Sequence, residues 1–184
     1  MEGRGDLQKD DREAARLYKL AADQGNAPAQ VHLGLFYREG RGGLQKDDRE
    51  ATRLYRLAAD QGDAYGQNNL GVNYRDGLGG VSKDDREAVR LFKLAADQGY
   101  APAQFNLGLM YADLGLMYAG FNLGLTDGVQ PDYVAAHMWF NLAAAGGLRE
   151  ALTLRELVAA KMAPEQIAEA EKRFAEWRRG GPIP

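Results

Sequence analysis

The sequence predicts an all-α fold, a right-handed α/α superhelical solenoid of short helix pairs ended by a two-helix C-terminal cap. Three observations carry that prediction. The string Lys-Asp-Asp-Arg-Glu-Ala begins at Lys9, Lys46 and Lys83, 37 residues apart each time, and residues 8–44 and 45–81 are identical at 25 of 37 positions. A fixed period of this length marks stacked supersecondary units, none of which can bury its apolar face alone. Within each unit apolar residues recur at helical spacing, as at Ala14, Leu17, Tyr18 and Ala21. Glycines punctuate the helical stretches where the chain must turn.

Each element follows in order. Residues 2–8 match 39–45, so they should form an inter-repeat loop, and the chain reads as a piece of a longer array. The first helix is predicted over 10–24, with Asp10 and Glu13 as a capping box that Asp47/Glu50 and Asp84/Glu87 repeat. Gly25 ends it, and Pro28 opens the second helix as an allowed first-turn residue. Leu33, Gly34 and Tyr37 supply that helix's buried face, Gly34 because a missing Cβ lets a neighbouring helix approach. Gly40, Gly42 and Gly43 make the loop to the next unit. After Gly147 the repeat fades. Residues 150–162 and 164–179 read as the two cap helices, the second with Ile167, Ala170, Phe174 and Trp177 on its apolar face. The organisation is therefore a repeat array over 1–147, capping helices over 148–179 and a loose tail over 180–184.

Composition narrows the function. Lys plus Arg is 23 against 26 Asp plus Glu, a formal net charge of −3, which argues against a nucleic-acid surface. There is no Cys, so thiolate metal sites and cysteine nucleophiles are excluded. The two histidines, His32 and His137, lie in different units without metal-site spacing. No stretch approaches a membrane span, and no leader-like apolar segment opens the chain; as written it reads as cytoplasmic, while its start in mid-repeat leaves an upstream signal peptide, and so the localisation, open. No cofactor and no metal is expected. The Gly-rich strings such as 40–43 lack the strand and Lys of a phosphate loop.

The pattern Ala-x-Ala-x-x-x-Leu-Gly-x-x-Tyr-x-x-Gly, here Ala27, Ala29, Leu33, Gly34, Tyr37 and Gly40, precedes Asp47, Ala51, Leu54, Tyr55, Leu57, Ala58, Ala59 and Gly62. Together they resemble the Sel1-like repeat, a relative of the tetratricopeptide repeat. The resemblance covers about residues 8–147, and Trp139, where the other units have Leu17, Leu54 and Leu91, is closer to the family pattern. It implies an α/α superhelix that binds protein or peptide partners on its concave face. Some cysteine-rich relatives have been linked to β-lactam binding or hydrolysis, which sets a hydrolase as the alternative. Here the Cys pairs are missing, and the one Ser, Ser82, is followed by Lys83-Asp84-Asp85 rather than by a Ser-x-x-Lys motif. A structural, self-assembling array without a groove ligand is the third reading.

The helix carrying Leu-Gly-x-x-Tyr should line the groove, with positions 31, 32, 35 and 38 and their counterparts exposed. Those are Val31, His32, Leu35 and Arg38, then Asn68, Asn69, Val72 and Arg75, then Phe105, Asn106, Leu109 and Ala112. The frame repeats while this face varies. His32, Arg38, Asn68, Asn69, Arg75, Phe105 and Asn106 are the candidate partner surface, with Asn amides to match peptide backbone and Arg to fork carboxylates.

One irregularity interrupts the period. Gln130 stands where Ser82 stood, 48 residues on rather than 37, and Leu-Gly-Leu-Met-Tyr-Ala occurs at both 107–112 and 114–119. Fourteen residues are added near 109–127, about 1400° of helix or some 40° short of four turns, which nearly preserves the helix face. One helix over 101–126, roughly 39 Å long, is predicted. Leu114, Met117, Tyr118, Phe121 and Leu125 would form an apolar surface on it, covered by the cap helices or, the reading favoured, by a second copy in a homodimer.

Overall fold

The computed structural model describes residues 3–112 and 131–180. Among them every regular element is a helix. The first five are α1 (Gly3–Asp23), α2 (Ala27–Glu39), α3 (Asp48–Asp60), α4 (Ala64–Asp76) and α5 (Asp85–Asp97). Four more follow, α6 (Ala101–Ala112), α7 (Tyr133–Ala145), α8 (Glu150–Ala159) and α9 (Pro164–Arg178). They form two compact units, Met1–Leu94 and Ala95–Pro184.

In the first unit α2 packs on both α1 and α3, and α3 on α4. Ala22, Ala29, Leu33 and Leu54 form one buried cluster, and Ala51, Tyr55, Leu70 and Leu91 the next. The sites predicted for close approach behave as expected. A Cβ on Gly34 would lie 2.6 Å from the Tyr55 ring, and one on Gly71 would lie 2.7 Å from Phe92. Gly40 and Gly77 end α2 and α4 in the left-handed conformation, at φ 67° and 66°. An L side chain would be strained there, which is why glycine recurs.

The capping boxes are only half made. Asp47 Oδ1 accepts from the Glu50 amide at 3.0 Å, and Asp84 Oδ1 from the Glu87 amide at 3.0 Å. The Glu carboxylates do not reach back. Each forks onto the Arg three residues later, with Arg53 and Arg90 donating at 2.6 Å. The Asp amides donate instead to a carbonyl of the preceding helix, Asp47 to Tyr37 at 2.9 Å and Asp84 to Tyr74 at 2.8 Å. That bond fixes where α3 and α5 begin. The expected loop over 2–8 and helix start at Asp10 are corrected: α1 runs back to Gly3. Leu17, predicted to be on the buried face, is 51% exposed, whereas its counterpart Leu54 is 2% exposed because α2 covers it.

In the second unit α7 is the centre, packed by α6, α8 and α9. Leu109, Ala112, Ala136, Phe140, Ala143, Ala151, Leu154 and Val158 form its core. A Cβ on Gly108 would sit 2.5 Å from the Phe140 ring, the third instance of the same contact. Asp132 caps α7 through the Ala135 amide, and its own amide donates to Tyr111 O at 2.9 Å. Helices α8 and α9 occupy the two stretches predicted to be helical after the repeats. Gln166 Oε1 accepts from the Ala163 amide at the start of α9. Ala170 is the buried residue of α9, with Ile167, Phe174 and Trp177 half-buried. The helix predicted to continue to residue 126, the surface of Leu114, Met117, Tyr118, Phe121 and Leu125, and the tail beyond residue 180 lie outside the described residues.

Candidate functional site

The varied face of the even-numbered helices divides sharply by burial. His32 is exposed, and Leu35 and Arg38 are half-buried. The His32 ring stacks on Tyr18 of α1, centroids 4.9 Å apart and planes 19° from parallel. Tyr18 also meets Phe36 edge-on at 5.6 Å, and the Arg41 guanidinium lies 4.8 Å over the other ring of that pair. Arg41 is itself held by Asp11 at 2.9 Å and Glu39 at 3.2 Å. The positive charge of Arg38 reaches the Tyr55 phenol. One edge of α1 and α2 thus carries an aromatic step of His32, Tyr18 and Phe36 flanked by Arg41, a surface suited to stacking.

The prediction that the whole face is exposed is corrected at five positions. Val31 is 3% exposed, Asn68 7%, Arg75 8%, Leu109 4% and Ala112 0%. The reason is geometric in the first unit, where α2 is packed by both α1 and α3 and so has two buried faces. Leu33, Gly34 and Tyr37 define only one of them. Arg75 stays buried because Asp76 takes its guanidinium in a fork, at 2.7 and 2.9 Å. Asn69 is half-buried and donates to the Tyr65 carbonyl one turn back at 2.9 Å. In the second unit Phe105 and Asn106 are half-buried, Phe105 with its ring edge-on to Phe140 at 5.8 Å.

Two features escaped the sequence reading. Gln30, Gln67 and Gln104 are all buried, and the first and last donate from Nε2 to carbonyls of the preceding helix, Ala22 O and Ala96 O. A glutamine repeated every 37 residues inside an apolar helix was the available signal. The second is an outer stripe on α1, α3 and α5. Arg16, Arg53 and Arg90 fork onto Glu13, Glu50 and Glu87, and one turn on Leu20, Leu57 and Leu94 are exposed at 49, 39 and 41%.

Ser82 is exposed ahead of α5, and Lys83 is engaged by Asp85 at 3.4 Å. His137 is buried at 4% exposure on α7. Among the described residues no cluster of His, Asp and Glu could hold a metal ion, and no helix is long and apolar enough to cross a membrane.

Comparison with known proteins agrees with the geometry. The Sel1 repeat profile matches residues 1–26, 27–63, 64–100 and 101–148. Those boundaries fall at the starts of α2, α4 and α6, the phase in which a Leu-Gly-x-x-Tyr helix leads each unit. A crystal structure of a Sel1 repeat protein from Oxalobacter formigenes superposes with TM-score 0.61 at 33% identity, over 73% of this chain and 48% of that one. The structure of c5321, a protective antigen present in uropathogenic Escherichia coli strains displaying an SLR fold, matches with TM-score 0.61 at 26% identity. That match covers 89% of this chain and 40% of the antigen, so the chain spans about half or less of the length of these relatives. A search of curated protein sequences gives no match. With four matched repeats covering most of its length, the chain belongs to the Sel1 repeat family.

Proposed function

We propose that this chain is a non-catalytic scaffold that binds a protein or peptide segment, and that in the first unit the segment lies along the edge carrying His32, Arg38 and Asn69. Sel1 repeat proteins are generally protein-interaction scaffolds and generally non-enzymatic. The observation that carries the finer reading is the contrast between frame and face. Leu33/Leu70, Gly34/Gly71 and Gln30/Gln67 are the same in successive units and buried, while His32/Asn69 and Leu35/Val72 differ and reach the surface. Val31/Asn68 and Phe36/Asn73 differ too but are buried, so they belong to the packing; variation at the accessible positions on a repeated frame is what recognition of one particular partner requires. Asn68 and Arg75 leave the contact surface in this reading and act as supports, Arg75 through its fork to Asp76. Phe105 and Asn106 are the corresponding half-buried positions of the second unit.

The experiment is a random-peptide display panned on the full chain, followed by affinity measurement of the enriched peptides. A His32→Ala/Arg38→Ala/Asn69→Ala variant should weaken binding at least tenfold while its melting temperature stays within about 2 °C, the ordinary range for surface changes. Peptides that bind the variant as well as the parent would place the recognition surface elsewhere, the Leu20/Leu57/Leu94 stripe being the next face to alter.

A further inference from the structure

We propose that the seating of the α8–α9 pair on α7 is an acid-sensitive latch, with His137 as its trigger. The argument begins with position. His137 is five residues after the N-cap Asp132, where Thr52 and Val89 follow Asp47 and Asp84. At Thr52 the repeat supplies a polar partner, since Asn73 Nδ2 donates to Thr52 Oγ1 at 2.7 Å. The histidine has no such answer. It is 4% exposed, and its Nδ1 is buried without a hydrogen-bond partner.

What surrounds it decides the consequence of adding a proton. From α8 comes Arg155, which reaches across to donate to Asn141 Oδ1 at 2.8 Å, one turn along α7 from His137. From α9 comes Glu171, the opposing negative charge. From α6 comes no Asp, Glu, Lys or Arg; its one ionisable side chain, Tyr111, faces Asp132. Burial first, and then the Arg155 charge, hold the imidazole below its ordinary value, while Glu171 works in the other direction. The neutral ring is therefore the form that fits the closed arrangement. A protonated ring would be a buried cation beside a guanidinium, with Glu171 the one opposing charge among the described residues.

The sign follows. A histidine whose folded value lies below 6.5 costs nothing above that pH, and it withdraws stability as the pH falls from 6.5 to the depressed value. Opening is the way to relieve it, and α9 is the element least able to resist. Ala170 is its buried residue, and its half-buried face is Ile167, Phe174 and Trp177. This proposal is independent of the partner surface in the first unit.

The chain suits the test. Of its two tryptophans, Trp177 is half-buried on α9 and reports on this seating, while Trp139 is buried on α7; its only other histidine is the exposed His32. Hydrogen exchange of the full chain, corrected for intrinsic rates, should show amides of α8 and α9 losing at least tenfold protection between pH 7.5 and 5.0. Those of α3 and α4 should hold. Tryptophan emission should shift to the red over the same range. His137→Val, which installs the residue present at 89, should abolish both changes, and His32→Asn should leave them intact. Unchanged protection in the parent, or the same loss in His137→Val, overturns the proposal. Should His137→Val fail to fold, the parent decides by NMR. The His137 Cε1 proton must titrate together with the α9 opening, and titration with the helix still closed refutes the latch.

Discussion

Replacing Tyr55 with Phe should stabilise the protein, although it deletes a polar group from an identical repeat motif. The Tyr55 ring is 0% exposed, and its hydroxyl is buried without a hydrogen-bond partner. Leaving such a group unpaired costs about 1–3 kcal/mol. The equivalent positions show that the ring alone suffices. Phe92 lies against Gly71 and Phe140 against Gly108 just as Tyr55 lies against Gly34. Tyr55→Phe should therefore raise unfolding free energy at pH 7 by about 1 kcal/mol, the low end of that range, read as a shift of the denaturant midpoint at constant slope. A second consequence separates this account from general tolerance. Burial, the largest cause, pushes the Tyr55 phenol up to about 12, with Arg38 pulling down and Glu39 and Asp48 pushing up. A folded value above the unfolded one near 10 contributes stability below pH 10, lost as the pH climbs to about 12. The gap between variant and parent should widen over that interval by roughly 3 kcal/mol at 1.36 kcal/mol per unit. A variant less stable than the parent at pH 7, or a gap that stays constant from pH 9 to 11.5, would refute the reasoning.

Two further outcomes rest on packing. Gly71→Ala places a methyl 2.7 Å from the Phe92 ring and should cost about 1–3 kcal/mol of overpacking, measured by chemical denaturation; a neutral result would mean that α4 and α5 can separate freely. Asn73→Phe puts the Phe36 side chain where Asn73 bonds Thr52 and should destabilise by a similar amount, whereas Thr52→Ala/Asn73→Phe, which recreates the Ala15/Phe36 pair, should recover most of the loss in a double-mutant cycle.

What could be read in the sequence was equivalence, and what could not was burial. The 37-residue spacing placed α3, α4 and α5 and singled out Gly34 as a contact glycine, because each depends on local chemistry that repeats. It said nothing about how many neighbours a helix has. Asn68 and Val31 look like surface on a helical wheel built around Leu33 and Tyr37, yet they are buried, and in the first unit α2 meets helices on both sides. The helix start at Asp10 failed for a related reason. Its cap is recognisable at Asp47 and Asp84, but there the helix start also depends on a tyrosine carbonyl of the preceding helix, a contact that the Asp-x-x-Glu spacing does not encode. The glutamines at 30, 67 and 104 were visible as repeats, but their value lies in a backbone acceptor on another helix.

That tyrosine carbonyl has a wider consequence. Tyr37 and Asp47, Tyr74 and Asp84, and Tyr111 and Asp132 are joined by the same bond, at 2.9, 2.8 and 2.9 Å, although the last pair is separated by eleven more residues than the others. The two anchor points are thus a docking gauge that ignores the length of chain strung between them. Closing a connection of doubled length costs only about 0.6 kcal/mol. The span between Tyr111 and Asp132 is in that sense a free port in the architecture. Residues can be spliced in or trimmed out there while the helices on either side keep their spacing, so this is where a lineage, or an engineer, could graft new surface at little thermodynamic risk.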